Sequence, residues 1–229
     1  DFFAIKEVKD FDKFTYYHLT QTPEGQYKRL LRHVMSLPER QSRNSITKSI
    51  FNPHQLRFNL SNGYPLLTSK RMFFRGVVEE LLFFIRGETD SSDLAGKRIN
   101  IWSGNTSKEF LNMNPKTCKY KEGLMGPMYG YQWRHFNAPY DTCKDSYEGK
   151  GVDQLQNIIN DLKDEKKRTS RRMILCAWNP DQLDEMALPP CHVLVQFHVT
   201  NGDELSCSLY QRSGDVGLGV PFNIASYSF

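Results

Sequence analysis

A cysteine follows two prolines in Ala187-Leu-Pro-Pro-Cys-His-Val193. Each proline ring fixes its own φ, so the turn is stiff and hands Cys191 to the first position of a strand. A thiol at the rim of a sheet is a candidate nucleophile, because the thiolate is the reactive form and a neighbouring guanidinium favours it. Cysteine is also commonly a small buried hydrophobe, and this stretch alone leaves both readings open. His192 is the next residue along and projects to the opposite strand face, which makes it a poor partner for taking a proton from the thiol.

Three basic stretches offer anion donors. Gln211-Arg-Ser-Gly-Asp215 ends a strand-like run and enters the glycine-rich turn Gly217-Leu-Gly-Val-Pro-Phe-Asn223. Arg212 brings paired donors and Ser213 a hydroxyl, a combination suited to phosphate, although a strand-end surface salt bridge uses the same residues. Ser170-Arg171-Arg172 is a second pair, and the polar stretch 39–48, with Arg40 and Arg43, is a third. Together they point to one anion or to a solvated basic face. Glu79 and Glu80 lie inside the apolar run 77–86. A carboxyl desolvated there has a raised pKa, the tuning that acid–base work needs, unless it reaches solvent or an arginine. Trp102, Tyr129, Trp133 and Phe222 present flat surfaces near glycines, for stacking on a planar ligand or for core packing.

The elements that must position these residues follow from periodicity. Tyr27, Leu30, Leu31, Val34 and Met35 recur at helical spacing between Pro23 and Pro38. Gln55 to Leu60 reads as a strand, followed by the turn Asn62-Gly63-Tyr64-Pro65. The run 77–86, ended by Gly87, predicts a helix apolar nearly all round and therefore largely buried. From Gly87 to Gly151 the composition allows short helical pieces at most. Val152, Leu155, Ile158, Ile159 and Leu162 mark a third helix, which runs into the basic stretch 163–172. Met173 to Trp178 is a short strand. Val193–Val199 and Leu205–Gln211 alternate at period two around Asn201-Gly202, a hairpin signal. No βαβ rhythm appears, so the expected class is α+β.

With 229 residues, 39% hydrophobic and 24% charged, the chain is neither collagen-like, a coiled coil nor wholly disordered. The net charge of +4 is weak evidence for nucleic-acid binding. The five cysteines lack CxxC spacing, so neither a zinc knuckle nor a disulfide framework is expected and no metal is assigned. The absence of a signal-like run or membrane-length stretch gives the expectation of a soluble, cytoplasmic protein.

Longer motifs carry a family resemblance. Pro65-Leu-Leu-Thr-Ser-Lys, Glu79-Glu-Leu-Leu-Phe-Phe-Ile-Arg-Gly, Ile101-Trp, Gly126-Pro-Met-Tyr-Gly-Tyr-Gln-Trp-Arg, Gly151-Val-Asp-Gln-Leu, Met186-Ala-Leu-Pro-Pro-Cys-His and Tyr210-Gln-Arg-Ser-Gly-Asp-Val-Gly-Leu-Gly-Val-Pro-Phe-Asn-Ile-Ala-Ser-Tyr resemble thymidylate synthase in family order. The resemblance implies a single α+β domain over residues 24–229, a mixed β-sheet with packed helices, and a separate extension or linker over 1–23. It implies reductive methylation of dUMP to dTMP, with 5,10-methylenetetrahydrofolate giving the one-carbon unit and the hydride. Cys191 would add to C6 of the uracil ring. Glu80, Tyr129 and His192 would form the proton-handling network, and Asn223 would read N3–H and O4. Gln211, Arg212, Ser213, Gly214 and Asp215 would hold the nucleotide, with Arg43 from the loop and Arg171 and Arg172 donated across a homodimer. Trp102, Asn105, Asp215, Leu218, Gly219 and Phe222 would hold the folate.

The resemblance also sets three departures. Arg43 aligns with the family's loop arginine only through a one-residue shift, Asn52-Pro53 replaces a glycine after Phe51, and Leu124 stands where an acidic residue is usual. The family continues past Ser226-Tyr227 with a helix, a ribose-holding His-x-Tyr pair and a closing C-terminal segment. The expectation is that the gene product is longer, and that 229 residues alone turn over poorly. A fused or linked dihydrofolate reductase before residue 1 is a further expectation, since some lineages carry that fusion. Two other readings stand beside this one: a pyrimidine hydroxymethylase, against whose cytosine form Asn223 argues, and a binding module that uses the basic stretches on nucleic acid.

Overall fold

The computed structural model describes residues 22–43, 45–141, 146–200 and 202–229. The expected extension over 1–23 falls almost wholly outside them, as do Asn44, Cys143 and Asn201. The chain divides into two compact units, Asp1–Met72 with Asp215–Phe229, and Phe73–Gly214.

In the first unit, helix α1 (Pro23–Ser36) starts where Thr22 caps the Gly25 amide at 3.0 Å and proline takes the first helical position. A two-residue antiparallel ladder follows, β1 (Arg40–Gln41) with β2 (Ile46–Thr47). The strand expected over Gln55–Leu60 is absent among the described residues; only a 3-10 turn, Leu60–Asn62, forms. The period-two alternation there is real, but the ladder partner is a side chain. The Gln26 amide accepts from the Arg57 N–H at 2.8 Å and donates to the Arg57 carbonyl at 2.5 Å. One primary amide thus satisfies both backbone groups that a neighbouring strand would have paired. The unit closes with helix α7 (Gly219–Ser228), whose Ala225 carbonyl accepts from the Tyr64 hydroxyl.

The second unit begins with α2 (Phe74–Ile85). Gly76, Val77, Glu80, Phe83 and Phe84 are its buried residues, a spacing of one helical stripe. The helix is therefore less enclosed than its composition predicts: Phe74 and Leu82 stay 40% and 37% exposed. Its C-terminus is a Schellman cap, with Gly87 at φ +73 donating to Phe84 and Glu88 donating to Phe83. Short helices α3 (Ser92–Gly96), α4 (Lys108–Leu111) and α5 (Gly130–His135) fill the region where only short pieces were expected. A β-carbon on Gly130 would stand 2.2 Å from the Phe84 carbonyl oxygen, so only glycine lets α5 approach α2 this closely. An aromatic cluster of Tyr120, Tyr131, Tyr140 and Tyr147 with Leu111 and Leu124 packs beside them.

Helix α6 (Gln154–Lys163) is capped by Asp153 and leads to the sheet of β3 (Ile174–Cys176), β4 (His192–Thr200) and β5 (Glu204–Gln211). The order is β3-β4-β5 and every pairing is antiparallel, where a mixed sheet was expected. The β4–β5 hairpin forms as its alternation predicts, and its last pair, His192 with Gln211, sets Cys191 beside Arg212.

Candidate active site

The second unit gathers a connected set of side chains around Cys191. The Arg212 amide donates to the Cys191 carbonyl at 3.0 Å, extending the ladder by one bond. The Cys191 amide donates to the Tyr129 hydroxyl oxygen at 2.9 Å, and the His192 amide faces the same oxygen. Tyr129 sits at φ +31, an uncommon region for a bulky side chain, at the entrance to α5. Its ring stacks on Phe84, centroids 4.8 Å apart, and lies 5.2 Å from the ring of buried His192. Burial, reinforced by Cys191 and Glu80, pushes the phenol upward. Tyr129 is thus a neutral hydroxyl at working pH, able to donate and accept.

Behind it, Glu80 is 6% exposed on the buried stripe of α2. Its Oε1 accepts from the Trp102 indole N–H at 2.8 Å. Burial raises its pKa to about 7, and the indole bond opposes the shift without cancelling it. A carboxyl poised there takes and gives protons readily near neutrality. Glu79 sits one helical step round, where Lys97 pairs with it at 2.7 Å and holds it below the usual carboxylate range. The two adjacent glutamates therefore have separate roles, one in the site and one in a surface ion pair. Trp102, expected as a flat ligand wall, is 9% exposed and engaged with Glu80. Asn105 is half-buried one turn on, its amide donating to the Trp102 carbonyl.

Arg212 is bound to the cysteine turn. Its Nε donates to the Pro190 carbonyl at 2.9 Å and its Nη2 to the Pro189 carbonyl at 2.6 Å. Ser213 and Gly214 follow it, exposed, and Gln211 precedes it half-buried. Arg171 and Arg172 are exposed before β3, and the Gln196 side chain bonds the Arg171 carbonyl at 3.0 Å. Ile174 pairs with Gln196, so Arg172 lies about seven residues along the ladder from Cys191, roughly 20 Å at the usual strand rise. That exceeds an arginine's reach. Within this chain the Arg171–Arg172 pair and Arg212 do not converge.

The first unit holds the remaining candidates. Asp215 Oδ1 accepts from the Gly217 and Leu218 amides at 2.8 and 2.9 Å, which shapes the glycine-rich turn into α7. Lys70 donates to the Gly217 carbonyl at 2.5 Å. Leu218 is 69% exposed, Gly219 and Phe222 are half-buried, and the Asn223 carboxamide oxygen faces Gly219. Arg43 is exposed in the β1–β2 connection.

Sequence reasoning gave no role to Trp178, Lys70 or Glu24. The Trp178 indole lies under the Arg212 guanidinium, 5.6 Å from ring centroid to Cζ. The Glu24 carboxylate takes both backbone amides of Thr68 and Ser69 and the Thr68 hydroxyl; its pKa falls to about 2 because those bonds outweigh burial. Glu24 thereby anchors the Thr-Ser-Lys stretch that carries Lys70. The local signal was Lys70 inside a long motif, and it named no partner.

The thymidylate synthase family model matches residues 25–229. The chain belongs to the thymidylate synthase family. Thymidylate synthase 1/2 of Encephalitozoon cuniculi is 53% identical over 209 residues, covering 90% of this chain and 69% of that protein. Thymidylate synthase of Bos taurus is 55% identical over 182 residues, 80% of this chain and 50% of its own length. The bifunctional dihydrofolate reductase-thymidylate synthase of Zea mays is 57% identical over 174 residues, 76% of this chain and 33% of the maize protein. Thymidylate synthases are methyltransferases, and the thymidylate synthase match spans both compact units. Among the described residues no helix is long and apolar enough to cross a membrane, and no His, Cys, Asp and Glu cluster could hold a metal ion.

Proposed function

We propose that the protein converts dUMP to dTMP, with 5,10-methylenetetrahydrofolate supplying the one-carbon unit and the hydride and leaving as dihydrofolate. The observation that carries this reading is the thiol of Cys191 on a braced turn, with Arg212 bonded to that turn and the Tyr129–Glu80–Trp102 network behind it. Cys191 Sγ adds to C6 of the uracil ring, and the displaced π pair moves onto C5 and O4. C5 becomes the nucleophile that a resting pyrimidine is not. Tyr129 and Glu80 handle protons at O4 and C5, and expulsion of Sγ from C6 restores the ring. Arg212 and Ser213 hold the phosphate. The exposed Leu218 and half-buried Phe222 beside the Asp215-braced turn suit the flat, partly apolar folate.

Asn223 reads the base, accepting from N3–H and donating to O4. Asn223→Asp should lower kcat/KM for dUMP by about 100-fold and bring dCMP into the site, because a carboxylate has no donor for O4, whereas a carboxyl accepts from cytosine N4–H and, when protonated, donates to N3. Steady-state kinetics with both nucleotides test this, and an undiminished dUMP preference would refute the assignment.

The working unit is a homodimer that takes Arg171 and Arg172 from the partner. Their distance along the ladder from Cys191 supports this. So does the sheet, where Ile174, Leu205 and Tyr210 are 44%, 53% and 55% exposed. Mixing inactive Cys191→Ala protein with an Arg171→Ala/Arg172→Ala variant should restore about a quarter of wild-type activity, since half of randomly paired dimers carry one complete site. A mixture that stays inactive after subunit exchange, shown by mass spectrometry, would contradict donation between subunits.

A further inference from the structure

Arg212 leaves β5 in an exposed stretch, where a long arginine side chain ordinarily sweeps through solvent. Here it is tied to three consecutive carbonyls: its amide to Cys191, its Nε to Pro190 and its Nη2 to Pro189. Both rings fix φ, and Pro190 holds the Pro189 backbone extended, so the turn that carries these carbonyls is stiff. The Arg212 guanidinium carbon stands over the Trp178 indole, 5.6 Å from the ring centroid. Trp178 follows β3, beside the start of β4, because the Ala177 amide donates to the Val193 carbonyl at 2.9 Å. The Cys176 thiol bonds the Trp178 carbonyl at 3.4 Å.

An aromatic face holds a guanidinium without consuming its N–H donors and without cancelling its charge. A carboxylate in the same place would fix the arginine equally well and neutralise it, leaving little to attract an anion. We propose that Trp178 is a positioning residue for Arg212: it presses the guanidinium against the double-proline turn, so that full positive charge stands beside Cys191 and the remaining donors face one anion. This deepens the reading of the phosphate site and rests on it only for the identity of the anion.

The test uses the purified protein and needs no turnover. The rate of Cys191 alkylation by iodoacetamide is followed by peptide mapping, with and without inorganic phosphate. In Trp178→Leu the phosphate concentration giving half protection should rise about 5- to 30-fold and unprotected alkylation should slow, while Trp178→Phe stays within about 3-fold of wild type. In an Arg212→Lys background the leucine substitution should add less than about 2-fold, since the two residues act through one contact. Unchanged protection in folded Trp178→Leu protein, or equal effects in both backgrounds, would show that the indole only packs. If the leucine variant does not fold, the same cycle with Trp178→Met, which also removes the aromatic face, decides: coupling to Arg212→Lys supports positioning, and additivity overturns it. Wild-type protein unprotected by phosphate, yet slowed by Trp178→Leu, would remove the phosphate reading and leave the positioning role standing.

Discussion

Cys191→Ala is expected to lower kcat for dihydrofolate formation by ~10⁴-fold or more while dUMP affinity stays within a few fold. The thiol supplies the bond to C6 that makes C5 reactive, and no other residue found near it replaces that role. Tyr129 is held as a neutral phenol by burial, and His192 is buried against the Tyr129 ring. Binding survives because the proposed phosphate contact belongs to Arg212, whose hydrogen bonds go to the main chain of residues 189–191 and not to the thiol. Cys191→Ser should be nearly as inactive, because a hydroxyl is scarcely ionised at neutral pH. Equilibrium dialysis with dUMP beside steady-state kinetics separates loss of chemistry from loss of binding.

Glu80→Gln should lower kcat by about 100- to 1,000-fold, the usual scale for removing a positioned acid–base group. The amide keeps an acceptor for the Trp102 indole, so the local fold persists, but it cannot carry the proton. Stability should move the other way. Burial raises the Glu80 pKa from 4.5 to about 7, so between these values the folded state holds a proton that the unfolded state has released. Folded protein then binds more protons, and stability falls as pH rises through that window. The whole penalty, about 3 kcal/mol from the size of the shift, is present above pH 7 and absent below 4.5. The melting-temperature difference between Glu80→Gln and wild type should therefore grow in favour of the glutamine variant from pH 4.5 to 7. A flat difference would mean that Glu80 is ionised throughout.

The parts of this molecule governed by local rules are legible in its sequence. The β4–β5 alternation, the Gly87 stop of α2 and the helix before Lys163 appear where periodicity places them. The helical stripe also separates Glu80 from Glu79 once the buried face is known. Long-range substitutions defeat the same rules. The 55–60 segment alternates like a strand, yet both backbone groups of Arg57 bond a glutamine 31 positions away. Trp102 has the composition of a stacking wall, and its burial against Glu80 depends on how α2 meets the 101–106 loop. Trp178 and Arg212 lie 34 positions apart, and only the ladder brings them together. Family motifs named the candidate nucleophile and phosphate arginines, whereas the contacts of Trp178 with Arg212, of Glu24 with Thr68 and Ser69, and of Lys70 with Gly217 follow from the fold and from no local pattern.

Release of tritium from C5-labelled dUMP is the most direct test of covalent activation by Cys191. Addition at C6 makes C5 an enolate carbon; C5 then takes the one-carbon unit, becomes tetrahedral and loses its hydrogen as a proton, so the label reports activation through C6. Wild-type protein should release tritium only with dUMP and 5,10-methylenetetrahydrofolate both present, and Cys191→Ala, still binding dUMP, should release none above background. Release by the alanine variant at the wild-type rate would show that the ring is activated without this thiol.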